Sequence, residues 1–183
     1  NMKVAVIYSS MTGNTEKLAR GIFDKIQGHE KDLFNLKDKP DISGYDIVAC
    51  GFWVDRSTAN KEMGEFISGI RDKKVFLFGT MGHLPDSDHG EKSMANVVGL
   101  VDDSCKIIGY FMACGKINMR VLEGIKHMKA ETIGEKAFKA HMLDEKNLIV
   151  YKILGDHVND ADIDYCSARL NERIYIEECL AKL

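Results

Sequence analysis

The 183-residue chain lacks any run approaching the roughly 18 apolar residues of a membrane-spanning helix, so no membrane association is expected from it. It also lacks C-x-x-C spacing. Its five cysteines, Cys50, Cys105, Cys114, Cys166 and Cys179, are odd in number and fall mostly in apolar or helical stretches, which reads as reduced thiols rather than a disulfide framework. A large charge excess is missing too. At a net charge of −3 the chain suggests neither a polyanion binder nor an acidic tail, and nucleic acid is not an expected partner. There is no G-x-x-x-x-G-K-S/T and no G-x-G-x-x-G after an apolar strand, which excludes two common phosphate-binding devices. Internal repeats and low-complexity tracts are absent. The first apolar strand begins at Lys3, leaving no room for a signal peptide, so a cytoplasmic protein is expected. Asn1, ahead of Met2, is read as an expression remnant and set aside.

What is present is globular: 45% hydrophobic and 29% charged residues, in a chain expected to form one domain over 1–183. A chain of this size buries about 70% of its unfolded surface. Short apolar runs alternate with helical patterns, the signature of an α/β architecture with a parallel sheet covered on both faces. Strands are expected at Lys3 to Tyr8, Lys31 to Leu36, Ile47 to Phe52, Lys74 to Thr80 and Lys106 to Ala113. Helices are expected at Asn14 to Gln27, Asn60 to Ile70, Glu91 to Val101 and Asp162 to Lys182. In the last of these Ile163, Cys166, Leu170, Ile174 and Cys179 recur near the helical period and predict its buried stripe. Lys116 to Asp156 is longer than an ordinary connection and carries helical patterns of its own around Val121 to Lys129 and Glu135 to Met142. It is read as an insertion before the last helix, lying on the edge of the sheet or over its carboxyl end. Structural cover and a partner-docking or substrate lid are its two roles.

The most informative segment runs from Val4 to Thr15. An apolar strand enters the turn Ser9-Ser10-Met11-Thr12-Gly13-Asn14-Thr15 and a helical pattern follows at once. A helix starting there aims free backbone N–H groups, and the positive end of its dipole, at whatever lies in the turn. Ser10, Thr12 and Thr15 add hydroxyls, and Gly13, without a Cβ, lets the backbone close on a ligand. The turn holds no Lys or Arg, which suits a monophosphate better than a triphosphate with its metal. An ordinary helix cap is the plainer reading of the same residues.

This pattern, Ser-x-Thr-Gly-x-Thr in the first strand-to-helix turn, resembles the phosphate loop of flavodoxins, and the resemblance covers roughly residues 3 to 115 and the last helix. It implies a flavodoxin-like, doubly wound, five-stranded parallel sheet of order 2-1-3-4-5. In such a sheet ligands bind beyond the carboxyl ends of the strands where the order reverses, so the turns after the first, third and fourth strands converge. The second of these turns holds Phe52, Trp53, Val54, Asp55 and Arg56; the third holds Thr80, Met81, Gly82, His83 and Leu84. The resemblance implies noncovalent FMN, with its phosphate on Ser10, Thr12, Gly13, Asn14 and Thr15. The protein would carry electrons from a reductase to a partner enzyme. Trp53, the only Trp in the chain, would stack on the isoalloxazine ring, Met81, His83 and Leu84 would cover the other face or the rim, and Gly82 would let backbone groups reach the pyrimidine edge. Many flavodoxins place a stacking Tyr in the third loop, where this chain has none, and a Gly beside the flavin N5, where it has Val54 and Asp55. The mild net charge also departs from the strongly acidic family habit. Arg56 would favour the reduced flavin anion if it lies near the ring, and is an ordinary surface charge if it does not.

The phrase Gly51-Phe52-Trp53-Val54-Asp55-Arg56 with Gly79-Thr80-Met81-Gly82 resembles a flavodoxin-like branch from anaerobic bacteria, some members of which assist a bile-pigment reductase. That implies a bile-pigment reductase as acceptor. An FMN-dependent reductase acting directly with NAD(P)H, and a flavin-free binding module, are the alternatives. A phosphoacceptor receiver domain shares the topology but needs an acidic cluster where Ser9 and Ser10 stand. Two further patterns are present. His83, Asp86, Asp88 and His89 cluster without a standard zinc spacing. Cys114 to Arg120 satisfies the C-x5-R of cysteine phosphatases but continues into Val121 rather than Ser or Thr.

Overall fold

Val4, Ala5, Val6 and Ile7 are completely buried, as befits a strand covered on both faces, and β1 (Lys3–Tyr8) accordingly lies inside the sheet. A computed structural model of the chain describes residues 2–117, 119–155 and 157–183. After β1 come α1 (Asn14–Asp24), β2 (Glu30–Asn35), β3 (Ile47–Asp55), β4 (Thr58–Ala59), α2 (Lys61–Gly69), β5 (Lys74–Met81), α3 (Asp88–Val98) and β6 (Lys106–Cys114). Then follow α4 (Met119–His127), α5 (Ile133–Met142), α6 (Glu145–Ile153) and the long α7 (Asp160–Leu180). The strands lie in the order β2-β1-β3-β5-β6, all parallel, with the two-residue β4 folded back antiparallel on the end of β3. Leaving β4 aside, this is the expected 2-1-3-4-5 order.

Side chains alternate between two cores, as the two-residue period of a strand requires. Val4 and Val6 of β1 with Phe76 and Phe78 of β5 meet Leu18 and Ile22 of α1 and Cys166, Leu170 and Ile174 of α7. Ala5, Ile7, Val48, Cys50 and Leu77 face the other way, onto Met63 and Ile67 of α2 and Met94 and Val97 of α3. At the centre Gly51 pairs with Phe78, and Phe52 with Gly79, so each ring lies across the glycine of the neighbouring strand. A Cβ on either glycine would stand only 2.4 Å from that ring. The exchange keeps β3 and β5 in register just below the switch point.

Four expectations are corrected. The third strand does not stop at Phe52: β3 continues to Asp55 and turns back as a hairpin, so Trp53, Val54 and Asp55 are strand residues rather than loop residues. Helix α3 opens at Asp88, three residues ahead of Glu91, because Ser87 receives the Gly90 N–H on its hydroxyl at 3.1 Å and caps the helix there. On α7 the core position one turn past Ile174 belongs to Glu177, which is 5% exposed and ion-paired with Lys106 at 2.6 Å; Cys179 faces solvent. The segment from Lys116 contains three helices rather than two, α6 being the addition. Asn118 and Asp156, which belong to that segment, lie outside the described residues.

The outer edge of β6 is closed by α7. Arg169 and Arg173 reach the carbonyls of Tyr110 and Ile108 at 2.8 and 3.0 Å. The four residues from Arg169 to Arg173 rise about 6 Å and two strand residues about 6.6 Å, so the spacings match and these two edge carbonyls are taken. Among the described residues no helix is long and apolar enough to cross a membrane.

Candidate functional site

The carboxyl ends of β1, β3 and β5 are tied together by side chains of the first turn. The Ser9 N–H donates to Gly51 O at 2.9 Å. Thr15, at the start of α1, is buried, its hydroxyl 2.9 Å from that of Thr80 on β5 and 3.5 Å from the Phe52 carbonyl on β3. Thr15 was expected to turn its hydroxyl into the phosphate loop. Its side chain instead bridges the ends of β3 and β5.

Gly13 is the N-cap of α1, with φ 94° and ψ −10°, the left-handed region that costs an L side chain about 1–2 kcal/mol. Nothing lies within 4 Å of where its Cβ would be, so the open space is on the ligand side. Ser10 Oγ accepts from the N–H groups of Gly13 and Glu16 at 3.1 and 3.3 Å and holds the turn in shape. The N–H groups of Met11, Thr12, Asn14 and Thr15 have no acceptor among the described residues. Met11, Thr12 and Gly13 are exposed, and the Asn14 amide lies 3.5 Å from Thr12 Oγ1. Nearby cations are engaged elsewhere: Lys17 on Val158 O at 2.6 Å and Arg20 on Glu16 at 2.8 Å. Neutral donors at a helix N-terminus remain, a set that fits a phosphate monoester.

Trp53 lies on the extended end of β3, in register with Thr80 of β5, and is partly exposed beside Val54 and the exposed Asp55. Its position is set by Asn60, a residue the sequence patterns assigned only to a helix start. Asn60 is fully buried. Its side-chain carbonyl accepts the Trp53 N–H at 3.1 Å, its amide donates to Ser9 Oγ at 2.9 Å, and its own N–H donates to Trp53 O at 2.9 Å. One side chain thus joins the first turn to the indole-bearing strand. The same amide, after the Glu62 backbone N–H, helps hold the Glu62 carboxyl below the usual carboxylate range.

The hairpin turns through Arg56 and Ser57, with φ of 50° and 65°. Two-residue hairpin turns with both φ positive favour Asn-Gly, so this pair carries backbone strain. Arg56 is exposed at the tip. Replacing Arg56→Asn with Ser57→Gly is expected to stabilise the protein by about 1–2 kcal/mol, read as a shift in the urea midpoint with unchanged slope.

In the third segment Thr80 and Met81 are buried at the end of β5, not in a loop, while Gly82 and His83 are partly exposed and Leu84 is 42% exposed. Met81 is therefore a wall residue rather than a rim residue. Cys114 donates its thiol to His83 O at 3.3 Å, and the Gly115 N–H donates to Met81 O. The His83 ring packs edge-on against Tyr151 of α6, centroids 6.2 Å apart and planes at 81°, so the insertion reaches the carboxyl end of the sheet. Burial, followed by the charges of His89 and His141, holds the His83 pKa below its usual value and favours the neutral ring.

At the head of the C-x5-R pattern, Cys114 is a buried thiol that donates to His83 O rather than an activated thiolate. Burial, then Asp162 and Asp86, push the Cys114 thiol up to about 11, whereas a thiolate nucleophile needs a lowered pKa. Asn118, inside that pattern, lies outside the described residues. Among the described residues no group of three or more His, Cys, Asp or Glu is placed to hold a metal ion.

The family model for the flavodoxin domain matches residues 5–168. A flavodoxin-like domain-containing protein BilS of Clostridioides difficile (strain CD3) is 34% identical over 150 residues, covering 80% of this chain and 82% of that protein. A BilS of Clostridium symbiosum (strain WAL-14163) is 29% identical over 145 residues, covering 69% of this chain and 75% of that one. Among solved structures, a flavoprotein in complex with FMN from Lactobacillus acidophilus NCFM aligns with 61% of this chain and 93% of its own, at 16% identity and a TM-score of 0.48.

Proposed function

We propose that this chain, which belongs to the flavodoxin family, holds FMN at the carboxyl end of its sheet and passes electrons from a reductase to a partner enzyme. The observation that carries this reading is the first turn. Four backbone N–H groups without an acceptor among the described residues surround a left-handed Gly13, one strand away from the indole of Trp53. FMN, when bound, supplies an isoalloxazine that takes up and releases electrons; the protein supplies binding and tuning.

In this reading Met11, Thr12, Asn14 and Thr15 donate backbone N–H groups to the phosphate, Ser10 keeps the turn in shape and Thr12 adds its hydroxyl. Trp53 stacks on the ring, flanked by Phe52, Val54 and Asp55. Thr80 and Met81 form the wall below it, and Gly82, His83 and Leu84 frame its edge. No side chain serves as acid or base. The whole chain works as one domain in the cytoplasm. The resemblance to the anaerobic branch makes a bile-pigment reductase the proposed acceptor.

The test separates a carrier from a self-sufficient reductase. Purified protein loaded with FMN is expected to oxidise NAD(P)H negligibly by itself. After chemical reduction under anaerobic conditions, it is expected to reoxidise when mixed with a bilirubin-reducing enzyme and bilirubin, and not with bilirubin alone. Rapid NAD(P)H oxidation without a second protein would overturn the carrier reading in favour of a direct reductase.

A further inference from the structure

The third loop contains no Tyr, Trp or Phe between Thr80 and Asp88, so the aromatic group available to it is His83. A lone imidazole on a loop wanders unless something holds it. Here the loop is gripped from two sides. On one side the segment after β6 holds its backbone, through Cys114 to His83 O, Gly115 to Met81 O and the close packing of Ile117 on Gly82, where a Cβ would meet Ile117 at 3.2 Å. On the other side stands Tyr151.

Helix α6 is apolar around much of its circumference, with Leu148, Ile149, Val150, Tyr151 and Ile153 in nine residues, yet Tyr151 is the residue it buries. Ile149 and Ile153 remain 53% and 75% exposed, while Tyr151 is 8% exposed. A helix with this choice of apolar residues that buries the ring touching His83 is anchored to the body through that contact. Among the described residues the Tyr151 hydroxyl reaches Met142 Sδ alone, at 3.8 Å, so the ring rather than the hydroxyl makes the anchor.

We infer that Tyr151 is a positioning residue for the flavin: by packing edge-on against His83 it fixes the third loop against the isoalloxazine, so that the insertion α4–α6 is a working part of the FMN site. This rests on the FMN reading above. It gives the insertion a task that neither simple cover nor a substrate lid describes. It also explains how a chain without the family's third-loop Tyr steadies that loop, with an aromatic ring brought from a distant helix.

The test is a double-mutant cycle of His83→Ala and Tyr151→Leu, with Tyr151→Phe as control, reading the dissociation rates of FMN and of riboflavin together with the melting temperature of the flavin-free protein. An aromatic pair of this kind is worth a factor of about three to ten. Tyr151→Leu is therefore expected to speed release of both flavins by about that factor, because the loop grips the ring and not the phosphate. His83→Ala should add little once Tyr151 is gone, and Tyr151→Phe should release both flavins at the wild-type rate. Unchanged release rates with a lowered melting temperature would make Tyr151 merely structural and overturn the inference, as would fully additive effects. Wild-type protein that binds neither flavin would overturn the FMN reading first, and this inference with it.

Discussion

Gly13→Val is expected to weaken FMN binding by about five- to thirtyfold while leaving riboflavin binding unchanged. At φ 94° an L side chain is strained by about 1–2 kcal/mol, and a β-branched one is a genuine outlier. Without ligand the turn can relax out of that conformation, and binding must then restore the strain. Because nothing lies within 4 Å of the missing Cβ, the effect is one of backbone conformation and not of a clash. The nucleoside-like part of the flavin does not touch this turn in the proposed pose, so riboflavin serves as the internal reference. Isothermal titration with the two flavins measures both numbers. Equal losses for both would mean that the turn shapes the whole site rather than cradling a phosphate.

Asn60→Ala carries the second large effect, on stability as well as binding. Its side chain is fully buried and serves the Trp53 N–H and Ser9 Oγ, with Glu62 Oε2 at 3.3 Å. Removing it takes the partner from the part-buried Trp53 N–H and Ser9 Oγ, at about 1–2 kcal/mol each. A total loss of about 2–4 kcal/mol lowers the melting temperature by about 10 °C in a chain of this size. Affinity for both flavins should fall, since the phosphate turn and the indole strand lose their common tie. A second readout is local. The Glu62 carboxyl, which Asn60 helps hold below the usual range, should titrate at higher pH in the variant, a change visible by NMR. A melting temperature within a degree of wild type would show that the buried network contributes little.

The difference between Gly13 and Asn60 explains how much of this site can be read from sequence. The first turn is contiguous: strand, hydroxyl-rich turn and helix follow one another within Lys3 to Asp24, and local chemistry alone specifies them. The sheet order was equally legible, because apolar runs alternating with helical periods leave few topologies open. Asn60 and Tyr151 act on residues far away in the chain, Ser9 and His83, and carry no local mark of that task. The hairpin after Trp53 has no sequence signal for another reason. Its turn residues, Arg56 and Ser57, lack the Asn-Gly signature, and the strained φ values belong to the folded chain rather than to its composition. Thr15 shows the limit of motif matching. The letter fits the phosphate loop, but burial at 1% exposure directs its hydroxyl to Thr80. Cys179 shows the same for periodicity, since a near-helical spacing placed it on the stripe that Glu177 occupies.

The central claim is that the first turn and Trp53 together hold FMN. It is tested most directly by titrating flavin-free protein with FMN and, separately, with riboflavin, following flavin fluorescence and the emission of Trp53. The account predicts FMN binding at least about a hundredfold tighter than riboflavin, the worth of two charge-assisted hydrogen bonds at about 1.5 kcal/mol each, with both signals quenched on binding. Equal affinity for the two flavins, or tight FMN binding with the Trp53 emission untouched, would contradict it.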